Sequence, residues 1–338
     1  MVMKKFINDP ENLTTELLAG MQIAFPDKIV VDQKLVCRAN PKSTDKVAIV
    51  SMGGTGHEPA ISGFVGYGML DVSVAGDIFA APGGPNVYKA LEKMNREAGT
   101  LLIVLNHAGD VMSGDMAMEM AEEEGLNVRS INTHEDISAG LGAPMEDRRG
   151  LVGCIPLAKV AGAAAERGWN LDEVCRVANK FNDNMATLAV AMRGATHPAT
   201  GQEIATLADD EMEIGMGQHG EGGGGRCKIK TADETAQIMA EQLIQAVDAK
   251  AGDKVVVIIN GSGATTHMEM LIVLNSVKKY LDSKGIIIAD AKCEEMLTVQ
   301  ESAGFQMFIA KMDDELLDLW KDPCDTPYST AREVIRNA

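Results

Sequence analysis

Short apolar runs alternate with amphipathic stretches along most of the chain. Residues 47–51 (VAIVS), 71–75 (DVSVA), 101–105 (LLIVL), 187–193, 254–260 (KVVVIIN), 285–289 and 305–311 have the composition of buried strands. Residues 86–96, 113–124, 157–167, 170–183 and 231–247 space their apolar positions as helices do, and another helix follows the turn at 261–265. Ser113 is the expected N-cap of the second helix, and Asn170 with Glu173 has capping-box spacing before the fourth. Such alternation predicts an α/β fold of parallel sheets covered by helices. With 338 residues the chain exceeds what one core usually holds, so two α/β domains are expected, 1–183 and 184–338. Glycine-rich or polar loops follow the strands at 52–59, 106–110 and 261–265. The segment 209–226 shows little periodicity and reads as one long loop.

Composition narrows the range of partners. The net charge of −18 repels phosphate backbones and anionic lipids, so nucleic acid and membrane partners are set aside. No apolar stretch reaches the ~20 residues of a membrane span. Residues 1–10 lack a signal core, and a cytoplasmic location is expected. The six cysteines are scattered without a C-x-x-C pair, which predicts free, buried thiols rather than disulfides or a zinc ribbon. The 21 methionines read as core filler, Met116 and Met120 among them.

Nucleotide signatures are absent: there is no G-x-x-x-x-G-K-[ST] and no G-x-G-x-x-G between a strand and a helix. His57-Glu58 continues as Pro59-Ala60, so the H-E-x-x-H zinc spacing fails, and no metal ligands are assigned. Three other segments carry possible chemistry. Gly53-Gly54-Thr55-Gly56-His57-Glu58-Pro59 would let backbone amides approach an oxygen-rich ligand, with His57 as an acid/base or a turn histidine. In Asn106-His107-Ala108-Gly109-Asp110, Asp110 could accept a hydroxyl proton, hold His57, or cap a helix. His107 could line the pocket through the same loop. In the segment 211–221, His219 stands between small neighbours. It is a usable nucleophile toward a carbonyl carbon or a solvated loop histidine. His134, beside Glu135 and Asp136, reads as solvated, and His197 before Pro198 as a turn residue.

Taken together these segments resemble the substrate-binding K subunit of the dihydroxyacetone kinase family. The likeness runs from Lys4-Lys5-Phe6-Ile7-Asn8-Asp9 through GGTGHEP, AGDIFAAP (75–82), Gly109-Asp110, VAGAAAER (160–167) and LADDEMEIGMGQHGE (207–221) to Asp325-Thr326-Pro327. The resemblance implies two α/β domains of the Dak1/DegV type and a homodimer. It implies that His219 adds to the ketone carbon as a hemiaminal and that His57 and Asp110 activate the terminal hydroxyl. Gly54, Thr55 and Gly56 would lie beside the ketose. It places ADP or ATP with magnesium on a separate DhaL-type subunit and no cofactor in this chain. The phosphate would come from ATP or from a DhaM-type phosphotransferase-system subunit. The chain, having no L domain after Ala338, is expected to be inactive alone. Leu105 stands where the family commonly has a substrate-contacting lysine. His107 and Ala108 replace an aromatic and a threonine, Ser113-Gly114 replaces Asn-Phe, and residues 222–225 are all glycine. These changes reshape the pocket and make a four-carbon ketose such as erythrulose a competing substrate. A ketose sensor acting with a transcription regulator is the alternative class, against which the retained His57 and Asp110 weigh. A fatty-acid-binding relative of similar shape is disfavoured by the GHEP and MGQHGE segments.

Overall fold

The computed structural model describes residues 4–223 and 225–331. Of the expected four-glycine loop, Gly224 therefore lies outside the described residues, as do the first three and last seven residues. The first sheet is built from β1 (Ile29–Asp32), β2 (Leu35–Arg38), β3 (Ala48–Thr55), β4 (Val72–Ile78), β5 (Thr100–Leu105) and β6 (Val128–Thr133) in the order β1-β2-β4-β3-β5-β6. Its helices are α1 (Leu13–Ala24), α2 (Gly84–Lys93), α3 (Ala108–Glu123), α4 (Cys154–Glu166) and α5 (Leu171–Asn182). The second sheet takes β7 (Met185–Arg193), β8 (Glu211–Ile214), β9 (Arg226–Lys228), β10 (Lys254–Gly261), β11 (Ile287–Glu294) and β12 (Ala303–Met312) in the order β11-β10-β12-β7-β8-β9. It is accompanied by α6 (Ala232–Ala246), α7 (His267–Ser283) and α8 (Asp314–Trp320). Two α/β units are thus present, but neither sheet is purely parallel. In the first, β3 to β6 run parallel while β1 and β2 add antiparallel. In the second, β10 and β11 pair in parallel and the remaining pairings are antiparallel.

Three apolar layers hold the sheets. One face of the first sheet is covered by α2 and α3, and one face of the second by α6 and α7. The central layer lies between the sheets and joins Ile49 and Leu101 of the first to Ile258 and Phe308 of the second, with α4 running through it. Every residue of α4 from Cys154 to Ala165 is buried. That explains its small side chains. A Cβ on Gly162 would stand 2.6 Å from the Gly68 carbonyl oxygen and from Met69 Cα, so nothing larger than glycine fits there. Each fully buried side chain of this layer, such as Phe308, contributes about 1.5–3 kcal/mol.

Several local expectations change. β3 continues to Thr55, so Gly53 and Gly54 are strand residues. α3 begins at Ala108 with His107 at its N-cap, and Ser113 is interior. An acidic residue in the first turn, Asp110, favours that earlier start through its attraction to the positive end of the helix dipole. α3 buries the small Gly114, Ala117 and Ala121, which leaves Met116 47% exposed. The segment 209–226 contains β8 and ends on the first residue of β9. The short alternation of Glu211, Met212, Glu213 and Ile214 carries too few periods to stand out. His134 is half-buried rather than solvated and hydrogen-bonds Asn182, and its neighbours Glu135 and Asp136 are buried. The Glu135 carboxylate caps the start of α4 by accepting from Leu151 N and Gly153 N. Asn170 does cap α5, and all six cysteines are free, although only Cys37, Cys154 and Cys324 are buried and Cys175, Cys227 and Cys293 are half-buried. Among the described residues no helix is long and apolar enough to cross a membrane.

Candidate functional site

The carboxyl ends of β3, β4 and β5 open onto one edge of the first sheet, where open α/β sheets bind ligands. The end of β3 brings Gly53, Gly54 and His57. The turn after β4 brings Phe79, Ala80 and Ala81. The end of β5 and the start of α3 bring Leu105, His107 and Asp110. The loop after β8 arrives from the second sheet with Gln218 and His219. Together with Leu297 these residues line a small cavity of about 30 Å³. A larger groove of about 570 Å³, bordered by α4 and α8, contains none of them.

Gly54 permits the close approach of two of these segments, since a Cβ there would lie 2.8 Å from Ala80 N. Phe79 adopts a left-handed φ of 55°, rare for an aromatic residue. Its ring is thereby set 5.0 Å from the His57 ring and 5.6 Å from that of His219.

Three histidines converge, each tied by one ring nitrogen. His57 Nδ1 donates to the Thr298 carbonyl at 2.8 Å, and its Nε2 lies 3.2 Å from His219 Nε2. His107 Nε2 donates to the Gly150 carbonyl at 2.8 Å. His219 Nδ1 is 3.3 Å from Glu221 Oε1, and the His219 amide donates to Glu221 Oε2 at 2.9 Å. Arg149 supports this loop: it bonds Asp136 at 2.8 Å and the Gly215 carbonyl at 3.0 Å, and stands 3.8 Å from Glu221.

Burial sets the charge states. His57 is pushed down to about 3, first by burial and then by the neighbouring His219, so it is neutral near pH 7. Asp110 is pushed up to about 7 by burial, against the pull of His219. Burial would also raise Glu221, but the bonds it receives from His219 and the backbone outweigh this and hold it at about 2. Among the described residues, Asp110 Oδ1 and Gln218 Nε2 are buried without a hydrogen-bond partner. The cavity thus presents one unpaired acceptor and one unpaired donor beside a nucleophilic nitrogen, a combination suited to a small polyhydroxylated carbonyl compound.

Of the residues singled out from the sequence, His57, Asp110, His219, Gly54, Leu105 and His107 line the cavity. Thr55 and Gly56 do not. The Thr55 hydroxyl turns inward to Thr14 at 2.9 Å and the Gly76 carbonyl at 3.2 Å, while the Gly56 amide donates to the Glu58 carboxylate. Asp110 does not hold His57; the Thr298 carbonyl does. Sequence reasoning gave no role to Phe79, Gln218, Glu221 or Thr298. Gln218 and Glu221 sit inside the quoted MGQHGE segment, so their position was a usable signal. Thr298 acts through a main-chain carbonyl and offered none.

Residues 19–328 match the Dak1 domain. The chain belongs to the Dak1 family. It is 39% identical over 314 residues to the dihydroxyacetone-binding subunit DhaK of the PTS-dependent dihydroxyacetone kinase of Lactococcus lactis, covering 92% of this chain and 94% of that one. It is 32% identical to the L-erythrulose 1-kinase of Mycolicibacterium smegmatis, covering 96% of this chain and 58% of that protein. Among solved structures it resembles a dihydroxyacetone kinase operon co-activator, DhaQ, with a TM-score of 0.86 at 29% identity over 91% of this chain and 96% of that one. Membership among the DhaK-type Dak1 proteins accounts for the two α/β units, and the relatives of this chain include kinases and dihydroxyacetone-binding subunits of kinases.

Proposed function

We propose that this Dak1 protein is the ketose-binding subunit of a kinase, which captures its substrate covalently on His219 and offers the terminal hydroxyl to a nucleotide-bearing DhaL-type subunit. The observation that carries the reading is the pairing of an unpartnered Asp110 Oδ1 and an unpartnered Gln218 Nε2 around His219 in one cavity.

With its proton on Nδ1, shared with Glu221, His219 keeps the Nε2 lone pair for a carbonyl carbon. The C–N bond forms as the carbonyl π pair moves to oxygen. The oxygen takes up a proton and the ring gives one up, so the hemiaminal is neutral. Covalent attachment aligns a ligand too small to be held by contacts alone, and phosphoryl transfer depends mainly on alignment and electrostatics. Asp110, raised to about 7, is poised to accept the hydroxyl proton. His57, neutral and beside His219, completes the wall and can relay a proton. Nucleotide and magnesium belong to the partner subunit. The phosphate donor is ATP or a phosphotransferase-system subunit.

The substrate is a short ketose, dihydroxyacetone or erythrulose. The apolar Leu105, 5% exposed at the cavity wall, and the kinship with an erythrulose kinase favour including the four-carbon sugar. The likeness to a co-activator supports a sensor as the second reading, which would need the capture but not Asp110.

The test combines the chain with a nucleotide-loaded L subunit and offers dihydroxyacetone, glyceraldehyde, both erythruloses and glycerol. Phosphorylation of at least one carbonyl sugar and not of glycerol is expected, with loss of the activity in His219→Ala. Capture without phosphorylation of any sugar would replace the kinase by the sensor, and absence of capture would end both.

A further inference from the structure

We propose that His107, His219 and Glu221 form a binding site for one divalent transition-metal ion of the zinc class, and that ion and ketose exclude each other. The exclusion rests on the capture of the ketose at His219; the metal site does not.

The three residues each bring one ligand atom within 4.8 Å of the other two. Two imidazoles and a carboxylate, with a fourth position open, are the donor set of many catalytic zinc sites. Ligands held about 2.0–2.2 Å from a tetrahedral ion stand roughly 3.3 Å from one another. His219 Nδ1 and Glu221 Oε1 are 3.3 Å apart. His107 donates its Nε2 proton to the Gly150 carbonyl, which leaves the Nδ1 lone pair as its ligand atom. Metal-bound histidines are ordinarily held through the other nitrogen in this way. The side chains of His219 and Glu221 are 34% and 41% exposed, so an ion can enter from solvent. Arg149 is the nearby cation, but it is neutralised by Asp136 at 2.8 Å and faces Oε2 rather than Oε1.

The proton arrangement of His219 strengthens the case. Because His57 Nδ1 donates to Thr298, His57 Nε2 presents a lone pair to His219 Nε2 at 3.2 Å. A neutral His219 has one ring proton for two contacts. On Nδ1, the proton serves Glu221 and leaves two lone pairs facing each other. On Nε2, it serves His57 and leaves a lone pair against a carboxylate. A metal ion at Nδ1 satisfies both contacts at once. It takes the Nδ1 pair and the carboxylate, and the proton moves to Nε2 and donates to His57. No electron is transferred. In that state neither nitrogen of His219 has a free pair, so it cannot add to a carbonyl carbon. C-x-x-C and H-E-x-x-H patterns are silent about such a site, because its ligands come from the end of β5 and the loop after β8.

The experiment titrates the metal-free full chain with Co²⁺, read by its visible absorption, with Zn²⁺ as the displacing ion. One tetrahedral-type Co²⁺ per chain is expected. His107→Ala, His219→Ala and the isosteric Glu221→Gln should each weaken it by roughly tenfold or more. His197→Ala, a nearby histidine outside the trio, should not. In parallel, ¹³C NMR of dihydroxyacetone labelled at the carbonyl carbon follows capture. One equivalent of Zn²⁺ should suppress the adduct signal and a chelator should restore it. Absence of the Co²⁺ band, or a band unchanged in all three variants, overturns the metal site. An adduct that forms equally with Zn²⁺ bound overturns the exclusion. Failure of the capture itself would appear separately, as no adduct from the metal-free protein, and would leave the Co²⁺ result standing.

Discussion

Glu221 grips His219 twice, through the main-chain amide at 2.9 Å and through ring Nδ1 at 3.3 Å. The double hold decides which nitrogen of His219 carries the proton, and therefore which one is nucleophilic. Glu221→Gln keeps the shape but removes the charge. A hydrogen bond to a charged group is worth about 1.5–3 kcal/mol, so ketose capture should slow by roughly 10–100-fold. The rate of adduct formation by ¹³C NMR checks this, and an unchanged rate would mean that Glu221 only shapes the loop.

Asp110 must be ionised to accept a proton, and burial raises it to about 7. Phosphorylation should therefore climb as pH rises from 6 to 8 and level off above. Asp110→Asn should lose about 10²–10⁴-fold in turnover while still forming the adduct. A pH–rate profile of wild type and variant, with the L subunit held saturating, decides.

The same carboxyl costs stability. Its folded value lies above the ordinary carboxylate range, so the folded state binds more protons, and stability is lost as pH rises from about 4 toward 7. Asp110→Asn removes that loss. It should stabilise the chain by about 1–3 kcal/mol at pH 8, with the gain shrinking toward pH 4. Denaturant melts at the two pH values measure it, and a constant difference would contradict the burial argument.

Phe79 walls the cavity against both His57 and His219. Phe79→Ala should open room beside the adduct and shift selectivity toward the four-carbon ketose. One extra carbon in a pocket is worth about 1–3 kcal/mol, so the erythrulose-to-dihydroxyacetone ratio of kcat/KM should rise roughly tenfold or more. Equal losses on both sugars would show that the ring orients the histidines instead.

How much of this was legible depended on distance along the chain. β3 and β5 read directly because strands buried on both faces become unbroken apolar runs. GGTGHEP and NHAGD stood out because each was expected directly after a strand, MGQHGE because its histidine stands between small neighbours, and each carries its chemistry in a few adjacent residues. β8 was hidden by having only four residues. The early start of α3 was hidden by a glycine at its second position. The Thr298 carbonyl that orients His57 comes from 241 residues away, and no local pattern announces such a contact. Thr55 lay in the right segment, but its hydroxyl is taken by Thr14 and the Gly76 carbonyl.

α4 touches both sheets, and every residue from Cys154 to Ala165 is enclosed. Neither sheet can leave it without baring an apolar face to water. The two halves should therefore melt in one cooperative step, and a calorimetric trace with a single peak would follow. It also means that a loosened inner helix would pull apart the histidines that the two sheets contribute, so damage far from the cavity would register there first as lost capture.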